Sequence, residues 1–222
     1  MEEFEKLNYY INKIESYEKI KNNDEILFYL EKIEKEVENH RDFYDIFEIL
    51  SDEYDKTYNI LSLYKQVSRI MTTTNSFRKF LKSLFKLLIF ELNGESTSVM
   101  IHNNKEKTLE MLGYFNIKRG FNFVYNNKKK TTFKIGEGIA GKVAKNKKPI
   151  ILDKANNSKE FIKKNNFNIN SLICLPLKYN NNLVGILNLS HVDKAVYNEE
   201  HKNLLNLIAS IISLKAVLYG YC

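Results

Sequence analysis

Phe133-Lys-Ile-Gly-Glu-Gly-Ile-Ala-Gly-Lys-Val-Ala144, closely followed by Lys148-Pro-Ile-Ile-Leu-Asp153, is the stretch whose reading decides the fold. Gly136-Glu-Gly-Ile-Ala-Gly141 within it satisfies G-x-G-x-x-G, the spacing of a dinucleotide loop. That mechanism needs a preceding parallel strand, a long following helix and a βαβ unit. Here the helix that follows has room for about two turns before Pro149 ends it. Downstream, Ser171–Tyr179, Asn180-Asn-Asn182 and Leu183–His191 read as an antiparallel hairpin. A simpler role fits the glycines. Gly136 and Gly138 permit a sharp turn into a short helix, and Gly141 lets that helix lie close to the sheet.

Outward from this stretch, the period of the apolar residues divides the chain. Residues 2–92 repeat at three and four, as in a helix. Phe4, Leu7, Ile11 and Ile14 form one series, and Ile26, Leu30, Ile33 and Val37 another. Phe43, Phe47, Leu50, Tyr54, Thr57, Leu61, Tyr64, Ser68 and Met71 run for four heptads and predict a coiled-coil seam. Ile60, Leu63, Val67 and Ile70 widen that apolar face. Ser76 can cap a helix from Phe77 to about Leu92 that buries Phe80, Leu81, Leu84, Leu88 and Ile89. Gly94 suits a left-handed cap at its end.

From residue 97 the period is two. Strands are predicted over 97–102, 108–115, 121–125 and 131–134, the last two joined by a turn at Asn126-Asn127. Short helices are expected over 138–146 and 158–165, with a short strand over 149–152 between them. An amphipathic helix over 198–219 closes the pattern, burying Leu204, Leu205, Ile208, Ile211, Ile212 and Leu214. The class is α+β with an antiparallel sheet.

Composition sets the outer bounds. The chain has 222 residues, 44% of them apolar, with 14 Phe and 14 Tyr, enough for a real core. No apolar run reaches the roughly 18–20 residues of a membrane span. Met1-Glu-Glu-Phe-Glu-Lys6 is no signal peptide. A cytoplasmic location without membrane contact is the expectation. The net charge of +7 is uneven. Residues 1–60 hold 17 acidic against 8 basic side chains, and residues 61–222 hold 10 against 26. The lysines fall in short Asn-Lys loops with no recognition helix and no zinc-finger spacing, which argues against nucleic acid as a partner. Two cysteines, Cys174 and Cys222, make neither a metal cluster nor a disulfide framework, and no metal is expected. Cys174 lies in an apolar run and reads as a small buried hydrophobe. No Cys-His arrangement, nucleophile elbow or HExxH helix is present.

Taken in order, these segments resemble the GAF domain family from about residue 60 to 220. Tyr58–Ile70 is similar to the signalling helix that often enters such domains. Phe133–Ala144, Lys148–Asp153, Asn157–Phe161, Ser171–Leu177, Leu183–Leu187 and Tyr197-Asn-Glu-Glu200 resemble successive family segments. The resemblance implies a six-stranded antiparallel sheet with helices on one face and a ligand pocket on the other. The all-helical, coiled-coil-prone segment 1–57 and the connecting helix 58–75 would then precede a GAF domain over 76–222. Matched positions make Phe133, Ile139, Asp153, Phe161, Leu172, Cys174 and Pro176 the pocket candidates, Asp153 being equally a turn cap.

Family ligands include cyclic nucleotides, bilins, haem, iron and small metabolites, and some members bind none. The cyclic-nucleotide marker falls on His191, Val192, Tyr197, His201 and Lys202, where only the aromatic is kept. Cys174 lies mid-strand, unlike a bilin-bearing thiol. His102 and His191 end strands and read as ordinary exposed histidines rather than haem ligands. The expected function is a non-catalytic sensor or regulator for an unknown small molecule. It would act as a homodimer through the heptads, with output through the N-terminal segment or a separate protein. Two alternatives stand beside it. One is a ligand-free module for dimerisation or protein interaction. The other is a free methionine-(R)-sulfoxide reductase, in which only Cys174 could supply the thiolate.

Overall fold

The fold was described from a computed structural model. It covers residues 32, 58–124, 131–155, 158, 169–192 and 197–221. The chain divides into two units, Met1–Leu61 and Ser62–Cys222. Most of the first lies outside the described residues, including the heptads from Phe43 to Thr57.

The entering helix α1 is described over 58–73. Its two apolar series part company. Leu63 and Val67 are buried in the core of the second unit, with Ile70 packed against it. Leu61 and Ser68 of the heptad series are exposed, and Tyr64 and Met71 are half-buried. Helix α2, Phe77–Glu91, begins at Ser76, whose hydroxyl accepts a hydrogen bond from the Lys79 N–H at 3.3 Å. It buries Phe77, Phe80, Leu81, Leu84, Phe85, Leu87, Leu88 and Ile89, a wider face than the periodicity predicts. Its end differs from expectation. Asn93, not Gly94, takes the left-handed conformation, with φ 47°. Gly94 is needed for space, since a Cβ there would lie 2.9 Å from Leu189 Cδ1.

The strands follow as β1 Ser96–Asn103, β2 Thr108–Asn116, β3 Gly120–Phe123 and β4 Thr132–Lys134. Helix α3, Gly138–Asn146, leads to β5 Ile150–Leu152. The hairpin β6 Ser171–Tyr179 and β7 Asn182–His191 precedes the last helix, α4 Glu199–Leu218. All described pairings are antiparallel, in the order β3-β2-β1-β7-β6-β5, with β4 also on β2. The sheet therefore counts seven strands but only six positions. β3 and β4 share one edge of β2, at Gly113–Asn116 and Thr108–Glu110. Two bonds bridge the gap, from the Val124 N–H to the Leu112 carbonyl at 2.8 Å and from the Met111 N–H to the Thr131 carbonyl at 3.0 Å. β3 and β4 thus lie in line along one edge of β2, and each pairs with β2 rather than with the other. The turn expected at Asn126-Asn127 lies outside the described residues, as does most of the predicted helix over 158–165.

Strand alternation sends side chains to two cores. On one face Val99, Ile101, Leu112, Ile173, Leu175, Leu177, Leu187 and Leu189 meet α1, α2 and α4. On the other, Met100, Leu109, Leu172, Cys174 and Ile186 meet Ile139, Ala140, Val143 and Ala144 of α3. An extra residue in β2, opposite Val99/Met100, puts Leu112 and Gly113 on the same face as Val99, while Met111 keeps to the face of Met100. α4 buries Leu205, Ile208 and Ile212 as expected, whereas Leu214 is exposed.

Tyr197, just before α4, carries a prediction. It is 4% exposed, and among the described residues its hydroxyl has no hydrogen-bond partner. Burial, with the Glu95 carboxylate nearby, pushes the phenol pKa well above its usual value. A buried unpaired hydroxyl costs about 1–3 kcal/mol. Tyr197→Phe keeps the ring and its edge contact with His201, and is expected to raise the melting temperature by roughly 2–4 °C. A calorimetric scan showing a lower melting temperature would mean that the hydroxyl has a partner in solution.

Candidate functional site

The glycine segment was the first candidate for chemistry, and its geometry is that of a turn. Gly136 and Gly138 have φ of 89° and 63°, open to glycine alone at little strain. The Gly136 N–H donates to the Gly141 carbonyl at 2.8 Å, the Glu137 N–H to the Lys134 carbonyl at 2.9 Å, and the Gly141 N–H to the Glu137 carbonyl at 3.1 Å. A phosphate cradle needs such N–H groups free to face the ligand. Here they close the turn, and the Glu137 carboxylate accepts from the Lys134 N–H at 2.7 Å. Gly141 sits where a Cβ would lie 2.5 Å from the Lys134 carbonyl oxygen, so α3 packs directly on the end of β4.

The turn brings α3 across the sheet face that the other helices leave free. Ile139, Leu172 and Cys174 are buried there beside Met100, Leu109 and Ile186, and Phe133 of β4 packs against them half-buried. Pro176, buried in β6 opposite Ile186, shares that face by register. Asp153 stands apart, exposed just beyond β5. Phe161 lies outside the described residues. Cys174 is fully buried, and loss of hydration drives its thiol pKa far above the ordinary range, so the thiol stays protonated near neutrality.

Beside this apolar patch runs a polar row that matching of single positions does not reveal. Ile150, Cys174, Asn188, Ser98, Tyr114 and Asn122 are consecutive cross-strand partners through β5, β6, β7, β1, β2 and β3. Leu187 and Leu189 flank Asn188 and face the helices, as Phe121 and Phe123 do around Asn122 and Phe115 does beside Tyr114. The row therefore lies on the α3 side of the sheet. Four neighbouring strands at about 4.8 Å spacing make its polar part roughly 14 Å long. The Asn188 side-chain amide donates to the Ser98 hydroxyl at 3.3 Å. All four polar residues are half-buried. One signal was legible in the sequence: a single polar residue between two apolar ones, as in Leu187-Asn188-Leu189 and Phe121-Asn122-Phe123.

Two positions of the degraded nucleotide marker, His201 and Lys202, serve the start of α4. Asn198 caps the helix, its side chain accepting from the His201 N–H at 3.0 Å, while His201 Nδ1 accepts from the Asn198 N–H at 3.3 Å. Burial lowers the His201 pKa, partly opposed by Glu200, and this favours the neutral imidazole, whose Nδ1 also lies 2.6 Å from the Asn198 side-chain oxygen. Lys202 pairs with Glu199 one turn away. His102 lies with Nδ1 at 3.4 Å from the Leu183 carbonyl. Among the described residues no group of three or more side chains could hold a metal, and no helix is long and apolar enough to cross a membrane.

Comparison with known proteins agrees with this geometry. The chain is similar in structure to the A. aeolicus nlh2 GAF domain in an inactive state, at 21% identity and a TM-score of 0.59 over 73% of this chain and 98% of that one. It is similar to the GAF domain of a Coxiella burnetii phosphoenolpyruvate-protein phosphotransferase, at 18% identity and a TM-score of 0.63 over 74% and 98%. It is also similar to the free methionine-R-sulfoxide reductase of Neisseria meningitidis, solved with its substrate, at 13% identity and a TM-score of 0.59 over 72% and 88%. At these identities the likeness shows the fold. A search of curated proteins found no match. The GAF domain family model matches residues 80–214, more than half of the chain, with the entering helix on one side and the end of α4 on the other. The chain therefore belongs to the GAF domain family.

Proposed function

We propose that this protein is a non-catalytic sensor or regulator that takes a small molecule on the α3 face of its sheet and works as a homodimer. The observation that carries the reading is the division of that face. A packed apolar patch under α3 adjoins a half-buried row of hydrogen-bonding side chains, Asn188, Ser98, Tyr114 and Asn122. Ligand sites combine a mostly apolar wall with a few placed polar groups in this way.

The fold supports a route for the signal. β1 and β7 carry Ser98 and Asn188 on one face and Val99, Leu187 and Leu189 on the other. Those three share a core with Leu63 and Val67 of α1. A shift of either strand on ligand binding would move the packing of the entering helix. The exposed Leu61 and Ser68, with half-buried Tyr64 and Met71, leave the heptad series available for a second copy. Native mass spectrometry of freshly purified protein is expected to show a dimer carrying a retained small mass. A bare monomer at tens of micromolar would overturn both halves of the reading. A bare dimer would favour the ligand-free interaction module instead.

The reductase reading has one observation in its favour, the similarity to enzymes that reduce free methionine sulfoxide. Against it stands the state of Cys174, buried, protonated and mid-strand. A redox thiol must reach its substrate as thiolate. The protein is expected to show no thiol-dependent reduction of free methionine sulfoxide. Turnover that Cys174→Ser abolishes would restore the enzyme reading.

A further inference from the structure

We infer that the row Asn188–Ser98–Tyr114–Asn122 reads an uncharged ligand bearing an amide-type edge, a carbonyl beside an N–H. The inference rests on the ligand-binding reading above and names the class of ligand. Its ground is the inventory of donors and acceptors left on the row. An Asn side chain offers two N–H donors and one carbonyl acceptor, and a hydroxyl offers one of each kind. Among the described residues the one side-chain bond within the row is that from Asn188 to Ser98. It ties up one donor of Asn188 and leaves its carbonyl oxygen, while Tyr114 and Asn122 keep their full capacity. Donors and acceptors thus stand together on adjacent strands, and a ligand that lies across them satisfies both only by offering both kinds itself. Carboxylates and phosphates only accept, and ammonium groups only donate.

Charge points the same way. None of the four side chains is ionised, so a charged ligand covered at this row would lose its hydration without a counter-charge. The apolar part of the ligand has its place by register. The next row of the same face, Pro176, Ile186, Met100 and Met111, is wholly apolar. Met100 and Met111 supply adaptable, polarisable side chains there.

The test uses matched probes on the full chain: nicotinamide against nicotinate, and uracil against its 6-carboxylate, orotate. Each is followed by saturation-transfer NMR at millimolar concentration. The neutral member of at least one pair is expected to bind and its charged counterpart to bind more weakly. Asn188→Leu and Tyr114→Phe are each expected to weaken neutral binding by about three- to tenfold, the range of one neutral hydrogen bond. Circular dichroism and an unchanged melting temperature would show that the variants fold. Stronger binding of the charged members, or a retained ligand identified as ionised, would overturn the class while leaving the ligand reading intact. Neutral binding unchanged in both variants would remove the row as the reader. Absence of any binding, with no retained mass in the purified protein, would overturn the ligand reading itself.

Discussion

Gly185→Ala is expected to unfold the domain at physiological temperature, or to lower its melting temperature by roughly 10 °C. Gly185 lies in β7, between Ile101 of β1 and Leu177 of β6, at the centre of the sheet. A Cβ there would stand 2.1 Å from the Met100 carbonyl oxygen, 3.1 Å from its carbon and 3.2 Å from Ile101 Cα. All three are backbone atoms, so no rotamer change relieves the overlap. β1 and β7 would have to part by about 1 Å, weakening ladder bonds of a kind worth about 1 kcal/mol each. They would also loosen the packing of Val99 and Leu187 against the helices. The total, about 3 kcal/mol or more, is a large share of the 5–15 kcal/mol that holds a domain of this size. Thermal denaturation followed by circular dichroism measures it. A melting temperature within 2 °C of the parent would show that the strands move apart at little cost, and that the tight approach is not needed.

Gly141→Ala comes second, and its sign tests the role of the whole glycine segment. In an unhindered helix the substitution stabilises by roughly 0.5–1 kcal/mol. At this site the new methyl would meet the Lys134 carbonyl oxygen at 2.5 Å and the Gly136 nitrogen at 2.9 Å. To make room, α3 must lift from β4, breaking the bond from the Gly136 N–H to the Gly141 carbonyl and opening the core around Ile139 and Val143. A net destabilisation of about 1–3 kcal/mol is expected. The same lift would disturb the proposed ligand face, so any binding of the neutral probes should fall with stability. A stabilised variant, as plain helix propensity predicts, would contradict the close packing of α3.

Much of this fold was legible because it rests on local rules. The change of apolar period near residue 97, the Ser76 and Asn198 caps, the bounds of α3 and the β6–β7 hairpin all follow from short-range chemistry. So does the burial of Cys174 within its apolar run. The errors came where distant segments decide. Asn93 took the left-handed turn because Gly94 was needed for space beneath Leu189. The two strands on either side of Asn126-Asn127 both paired with β2, because β2 offered them a continuous free edge, which the sequence does not show. Leu63 and Val67, which read as part of a wider helical seam, were claimed by the core of the domain.

By itself the sequence determined the class, the family, the order of the described elements and the turn-forming character of the glycines. These depend on residue type at fixed spacing, and spacing along a chain is visible without its partners. Only the tertiary structure brought the proposed site together. Asn188, Ser98, Tyr114 and Asn122 come from four strands separated by up to 90 residues, as in the bond from Asn188 to Ser98. They meet because the register of antiparallel pairing lines them up, and that register follows from the burial of the residues on the opposite face. The same register placed Ile139, Leu172 and Cys174 in a packed core, and left the hydrogen-bonding groups beside it.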